Sequence, residues 1–182
     1  MLPVLEDIAL HYFGDLDNLI SFPEVKLPGV GKLDYVLIRH KPMKVEIDDF
    51  VPIEFQTGLS HEIKQSILGK GIIYKGWNVK GYWVLLEDVY SSLAKQYSFM
   101  GSDYSPAHTC RFALYEHFPQ GNLATLTPSR YVSIDIDEVY DLHSITDLPS
   151  KNDFVQNLST RLQAELLGDL VKLARTINDH QN

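Results

Sequence analysis

Two neighbouring stretches decide the fold, GKLDYVLIRH at residues 31–40 and FVPIEFQTG at residues 50–58. In the first stretch, successive side chains alternate between two faces, which is the two-residue period of a half-buried β-strand. The second is a short apolar run that predicts another strand. Asp34, Glu54 and Gln56 are polar positions inside these apolar strands. Because a carboxylate is costly to desolvate unless it is paired or binds a cation, these positions need a chemical explanation.

The turn between the strands predicts how they face each other. Residues 41–44, Lys-Pro-Met-Lys, are typical of a turn. A simple antiparallel hairpin centred on Lys44 sets Asp34 opposite Glu54, and the two-residue period of a strand puts Gln56 on the same face as Glu54. Two carboxylates this close repel each other, and a divalent cation bound by hard oxygen ligands relieves that repulsion. The hairpin therefore predicts a magnesium site.

Local periodicity and turn residues predict the remaining elements. Helices are predicted over 3–13, 61–69, 83–97 and 151–177, strands over 111–115 and 131–136, and an extended or looped segment over 21–31. In the helix over 61–69, Ser60 is the predicted cap, and Gly69 and Gly71 are the predicted limit. This order predicts an α/β fold, a mixed central β-sheet flanked by helices. The length of 182 residues suits a single domain spanning 1–182.

Composition excludes several classes of protein. The 24 acidic and 16 basic residues give a net charge of −8, which argues against coating of nucleic acid by bulk charge. The single cysteine, Cys110, cannot form an internal disulfide or a four-cysteine zinc site, and it indicates a reducing compartment. Residues 1–13 lack the pattern of a signal peptide, and no run has the length of a membrane span. We therefore expect a cytoplasmic protein without membrane partners.

The motifs resemble those of a known enzyme superfamily. A carboxylate on one strand, followed on the next by a carboxylate two residues before a lysine or glutamine, is similar to the PD-(D/E)xK nuclease signature. Within that superfamily the chain resembles the NotI-like group of type II restriction endonucleases, in FPE at 22–24, GKLDYVL at 31–37, PIEFQTG at 52–58 and GWN at 76–78. The resemblance covers about residues 20–100 and implies a restriction-endonuclease-like fold.

This resemblance implies Mg²⁺-dependent hydrolysis of DNA phosphodiester bonds. Asp34 and Glu54 would hold Mg²⁺, which activates water and neutralises charge on the phosphate. Gln56 stands where most of the superfamily has lysine; its neutral amide could orient the attacking water or bind a ligand through its carbonyl oxygen. Glu24 matches the upstream glutamate of the FPE motif and would complete the metal shell. The predicted catalytic residues are thus Asp34, Glu54, Gln56 and Glu24.

Because Gln56 stands where most of the superfamily has lysine, another lysine could supply the positive charge. Lys64 lies about one turn into the predicted helix after the second strand, where its side chain could reach the cleft. Lys70, Lys75 and Lys80 follow, so residues 58–81 contain four lysines and one acid, Glu62. Such a local excess could contact phosphates, or it could be a solvated face.

Three other interpretations of the sequence stay open. The first is a catalytically inactive nuclease-like domain that binds nucleic acid or protein. The second is a carboxylate-pair glycosidase, which is disfavoured because directly opposed strand residues lie closer than its acid and base usually do. The third concerns Asp135 and Asp137, which could be a second metal pair but more often mark the wet side of a sheet. Cleavage of palindromic DNA would favour a twofold homodimer, with the C-terminal helix as its candidate interface.

Overall fold

A computed structural model describes residues 1–56, 58, 61–97, 103–117, 128–138 and 147–180. It has an α/β architecture, a six-stranded mixed sheet flanked by helices. In chain order the elements are α1 (Pro3–Phe13), β1 (Leu19–Leu27), β2 (Gly31–His40), β3 (Ile47–Gln56), α2 (His61–Trp77), β4 (Gly81–Leu86), α3 (Glu87–Tyr97), β5 (Cys110–Tyr115), β6 (Arg130–Ile134), a 3-10 turn (Ile136–Glu138) and α4 (Lys151–His180).

The strands lie in the sheet in the order of the sequence. β1, β2 and β3 form an antiparallel meander, β4 and β5 continue the sheet in parallel with β3, and β6 is antiparallel to β5. Parallel neighbours need a crossover through another element, and α2 makes the crossover from β3 to β4. The predicted α/β class with a mixed sheet is confirmed.

Helices cover both faces of the sheet and create two apolar cores. The larger core joins one face to α2, α3 and α4 through side chains such as Tyr74, Leu93 and Phe154. The smaller core joins the other face to α1, where Leu5 and Ile8 are fully buried. Strand residues alternate between the two cores, so Trp83 packs in the larger one and Tyr82 in the smaller.

The helix predicted over 83–97 is wrong in its first part. Residues 81–86 form strand β4, in which Tyr82, Trp83 and Val84 are all buried, and a helix begins only at Glu87. A strand that is covered on both faces consists of a continuous apolar run, and periodicity cannot distinguish such a run from a buried helix. Pairing with β3 and β5 decides the outcome.

Two further boundaries differ from the predictions. Gly69 and Gly71 do not end α2, which continues to Trp77 before Asn78 takes a left-handed backbone conformation, with φ of 53°. The segment 21–31 is mostly paired strand, because β1 runs from Leu19 to Leu27 against β2. Helices α1 and α4 agree with the predictions, and the proposed cap Ser60 lies outside the described residues.

The single cysteine and three aromatic residues of the sheet and α3 are buried in the core. Cys110 is a free, fully buried thiol, and burial raises its pKa to about 12. Tyr82, Trp83 and Tyr90 are core residues. Within the described ranges, no helix is long and apolar enough to cross a membrane.

Candidate active site

The hairpin of β2 and β3 has the predicted register next to the site. Tyr35 pairs with Ile53 and Val36 with Pro52, and continuing this register by one residue sets Asp34 opposite Glu54. An irregularity between Arg39 and His40 shifts the pairing only at the turn end of the hairpin. The backbone N–H of Phe55 donates a hydrogen bond of 2.8 Å to Asp34 Oδ2, which fixes the carboxylate of Asp34 against β3.

The sheet is distorted where β1 meets β2 beside this pair. Pro23 pairs with Tyr35 and Val25 with Leu33, but the intervening pair of Glu24 and Asp34 is missing from the ladder, and Glu24 has a φ of 49°. The alternation of buried residues also changes phase here, because Leu33 and Val36 both enter the larger core. Irregularities of this kind bend a strand and re-aim its side chains, and they are frequent beside active sites.

A buried lysine completes the site from α2. Lys70 Nζ donates a hydrogen bond of 2.7 Å to Glu54 Oε1 and another of 3.0 Å to the carbonyl oxygen of Lys32. Glu54 is only 3% exposed and Lys70 only 8%. The pair is therefore a desolvated ion pair whose lysine is held by two acceptors on two strands.

The sequence itself contains a signal for Lys70. Ile67, Lys70, Gly71 and Tyr74 follow the spacing of one helical face, and all four are buried. Lysine is almost never fully buried unless it is paired, so a lone lysine in an apolar stripe indicates a partner in the core. The side chain of the other candidate, Lys64, lies outside the described part of the chain.

Burial and a neighbouring acid make Glu54 unusual among the carboxylates. Its pKa is raised to about 7, first because burial disfavours the charged form and also because of the charge of Asp34 and a hydrogen bond between the two carboxyls. The ammonium group of Lys70 opposes this shift. A perturbed pKa with identified partners is typical of functional sites.

Gln56 and Glu24 lie further from this centre. Gln56 is half-buried at the end of β3, two residues after Glu54, and its side chain makes no hydrogen bond to another described residue. The side chain of Glu24 is 76% exposed and forms an ion pair of 3.5 Å with Lys32. The structure thus brings together Asp34, Glu54 and Lys70, with Gln56 beside them and Glu24 at the rim.

The lysine-rich segment after β3 is largely neutralised by internal contacts. Lys75 pairs with Asp135 at 3.0 Å and with Asp137 at 3.1 Å, and Lys80 donates to the carbonyl oxygen of Ala107. Asp135 and Asp137 therefore serve as ion-pair partners of α2. Lys26 and Lys32 are exposed and directly opposite each other on β1 and β2. Because Lys26 lies between Val25 and Leu27, which both enter the larger core, this pair lies on the face of the sheet opposite Glu54.

The donor set fits Mg²⁺. Mg²⁺ prefers oxygen ligands, keeps several of its waters, and is commonly held by one or two carboxylates. Asp34 is exposed and Glu54 is buried beside it, so the pair offers hard oxygens at an accessible edge. No group of three or more His, Cys, Asp or Glu side chains that could hold a metal occurs among the described residues. Asp34 and Glu54 would hold the ion, with water and substrate oxygens completing its shell.

Comparisons with protein-family models and with curated proteins find no match to this chain.

Proposed function

We propose that this protein is a Mg²⁺-dependent DNA endonuclease of the restriction-endonuclease-like class. The observation that supports the proposal most is the convergence of Asp34, Glu54 and the buried Lys70. Two carboxylates on adjacent strands and a cationic group are the components that metal-assisted phosphodiester hydrolysis needs. The mixed sheet, with the site at an irregular part of its meander, supports the fold assignment.

Each residue has a distinct role in this proposal. Asp34 and Glu54 hold Mg²⁺, which when bound lowers the pKa of its water and neutralises the phosphate oxygens. Lys70 favours the charged form of the Glu54 carboxylate and orients it through its 2.7 Å hydrogen bond, and it supplies the positive charge that Gln56 lacks. Gln56 orients the attacking water, and Glu24 completes the metal shell from the rim of the site.

Surface charge near the site supports DNA as the substrate. Lys26 and Lys32 present two exposed ammonium groups on β1 and β2, where they can contact phosphates that lie beyond the bond that is cut. The net charge of −8 disfavours loose binding elsewhere on the protein. The lone, buried Cys110 supports a reducing, cytoplasmic setting.

Exposed leucines on α4 support a twofold homodimer. Leu167, Leu170 and Leu173 are 58–62% exposed on the C-terminal half of this helix. A shared apolar stripe suits an isologous interface, because the same surface then serves both subunits. Light scattering should show a dimer that Leu170→Glu dissociates; a monomeric wild-type protein would exclude this part of the proposal.

Cleavage of supercoiled plasmid tests the proposed activity. The wild-type protein should convert the plasmid to nicked or linear DNA in Mg²⁺ and should not do so in EDTA. Asp34→Asn should remove cleavage while the circular dichroism spectrum and melting temperature stay close to those of the wild type. Plasmid binding without cleavage by the wild type would instead indicate the binding-only alternative, and an active Asp34→Asn variant would reject the assigned site.

A further inference from the structure

Arg111 is a buried cation on the face of the sheet opposite Glu54. It pairs in register with Tyr82 on the α1 side, whereas Glu54 pairs with Trp83 on the α2 side. The arginine is 5% exposed. Its guanidinium donates to Tyr82 Oη at 2.9 Å, to the Pro106 carbonyl at 2.7 Å and to the His108 carbonyl at 3.2 Å.

All three of these acceptors are neutral. Arg111 forms no ion pair with any carboxylate in the described ranges. Because a guanidinium has five N–H donors, two remain without a protein acceptor in that part of the chain. A buried charge without a counter-charge is costly. The arginine is therefore positioned to receive an anion.

Arg111 lines an open cavity of about 580 Å³, here called the Arg111 cleft. This volume lies within the range of about 300–1,000 Å³ that small-molecule sites occupy. The cleft is also lined by Arg39, Asp48, Tyr12, Phe13 and Tyr104. It lies at the end of α1 and shares no lining residue with the carboxylate site.

Arg39 supplies a second, oriented guanidinium, which is ion-paired with Asp15. Its Nη2 contacts Asp15 Oδ1 at 2.5 Å, and its guanidinium lies 4.4 Å from the centre of the Phe13 ring, so its orientation is fixed. Its Nε is buried and has no hydrogen-bond partner among the described residues. Arg111, with its two spare N–H groups, and the oriented guanidinium of Arg39 form a suitable receptor for a phosphate or another oxyanion.

Asp15 balances the charge of Arg39, whereas no acidic residue in the described ranges forms an ion pair with Arg111. Asp49 accepts hydrogen bonds at both carboxylate oxygens, from the Phe50 N–H at 2.7 Å and from the Tyr12 hydroxyl at 2.8 Å. Asp48 is exposed. A hydroxyl-bearing ligand could donate to Asp48 while its anionic group contacts the arginines.

Aromatic rings line the rest of the cleft. The rings of Tyr12 and Tyr104 lie 5.5 and 5.2 Å from the guanidinium carbon of Arg111, and Phe13 lies under Arg39. Such rings stack with flat ligand groups, including nucleobases. The cleft thus combines cations for a phosphate, rings for a base and a carboxylate for sugar hydroxyls.

We propose that the Arg111 cleft binds a nucleoside monophosphate unit, either as a free nucleotide or as the 5′-phosphorylated end of a nucleic-acid strand. The phosphate contacts Arg111 and Arg39, the base packs against the tyrosine and phenylalanine rings, and Asp48 accepts from the sugar. This site is separate from the carboxylate site and does not depend on its activity.

Calorimetric titration of the full chain in EDTA tests this proposal. Adenosine 5′-monophosphate should bind saturably, and adenosine and inorganic phosphate should each bind at least about tenfold more weakly. A 5′-phosphorylated oligonucleotide that binds more tightly than the nucleotide assigns the strand end as ligand; the reverse order assigns the free nucleotide. Absence of saturable nucleotide binding overturns the proposal, as does an unphosphorylated oligonucleotide that binds as tightly as the phosphorylated one.

Variants identify the cleft as the binding site. Arg39→Gln should weaken nucleotide binding by about tenfold or more, and Tyr104→Ala should weaken it while phosphate binding changes little. Arg39 and Tyr104 are only partly buried, so both variants should fold. They therefore test the cleft even if Arg111→Gln prevents folding. Arg130→Gln is the matched control, because Arg130 is exposed and pairs with Glu87 outside the cleft. Unchanged binding by Arg39→Gln, or an equal loss in Arg130→Gln, overturns the assignment.

Discussion

At the scale of single residues, the protein is defined by one buried ion pair beside an exposed acid. Glu54 and Lys70 are both less than one-tenth exposed, and Asp34 stands next to them at the solvent edge. Buried ion pairs seldom stabilise a fold more than apolar residues of the same size would. A fold that retains one beside a second carboxylate therefore indicates a function for these groups.

Removing the charge of Lys70 should destabilise the fold, because Glu54 then has no counter-charge. Lys70→Met leaves Glu54 buried without its cation, so at pH 8 we expect a loss of about 3–5 kcal/mol in the free energy of unfolding. The loss should be smaller at pH 5, where Glu54 can take up a proton. Urea denaturation at both pH values measures this. Lys172→Met, which removes an exposed pair with Asp169, should cost at most about 1 kcal/mol; equal losses in the two variants would refute the assignment.

Glu54 should also give the stability a recognisable pH dependence. Its pKa is about 7 in the folded protein against an ordinary value of 4.5, so the folded state holds this proton more tightly than the unfolded state does. The contribution of Glu54 to stability is complete below about pH 4.5 and is lost as the pH rises through about 7. It should amount to a few kcal/mol, at about 1.4 kcal/mol for each pH unit between the two pKa values.

Denaturation from pH 4 to pH 8 checks this dependence. The difference in unfolding free energy between wild type and Glu54→Gln should fall across that window. Glu165→Gln, on the exposed side of α4, should leave the profile unchanged. A flat difference between wild type and Glu54→Gln would show that Glu54 titrates normally.

At the scale of elements, packing rather than local propensity explains why α2 contains Gly71 and continues past it. A Cβ atom on Gly71 would lie 2.9 Å from Cys110 Sγ and 3.2 Å from Ile136, whereas a Cβ on Gly69 would meet nothing within 4 Å. The helix therefore approaches β5 most closely at Gly71, which explains a glycine inside a helix that continues past it.

These two glycines give opposite predictions on one helix. Gly71→Ala should destabilise the protein by about 1–3 kcal/mol, because the buried neighbours must shift. Gly69→Ala should stabilise it by up to about 1 kcal/mol, because alanine has the higher helix propensity. Urea denaturation of both variants under the same conditions measures the contrast. Stabilisation by Gly71→Ala would mean that α2 does not pack this closely on β5.

The elements also show what the sequence could predict. The pairing of Asp34 with Glu54 was accessible because a short hairpin fixes its own register locally. Lys70 was not assigned to the site because its position depends on how α2 packs across the sheet. The run 83–86 was assigned to a helix because a doubly buried strand and a buried helix share an apolar pattern, and only pairing with β3 and β5 distinguishes the two.

At the scale of the whole molecule, its two faces carry two different charge arrangements. One face holds Glu54 and Lys70, and the other holds the buried Arg111. The excess acidity of the chain therefore does not exclude anionic ligands.

Metal binding should be visible in the stability of the whole protein. Mg²⁺ favours the charged carboxylates, so it should raise the melting temperature, and above the dissociation constant the rise should grow with the logarithm of the Mg²⁺ concentration. The rise should be larger at pH 8 than at pH 5.5, because Mg²⁺ competes with the proton on Glu54. Asp34→Asn should reduce the rise. An equal rise in the variant would place the bound metal elsewhere.

Asp34, Glu54 and Lys70 are proposed to act as one hydrolytic unit, and single-turnover cleavage of duplex DNA in Mg²⁺ measures whether they do. Residues that act as a unit show strongly non-additive losses of rate. We predict that Asp34→Asn, Lys70→Gln and the double variant lose activity to similar extents, while Lys172→Gln cleaves at the wild-type rate. Losses that multiply in the double variant, or full activity in Lys70→Gln, would contradict the account.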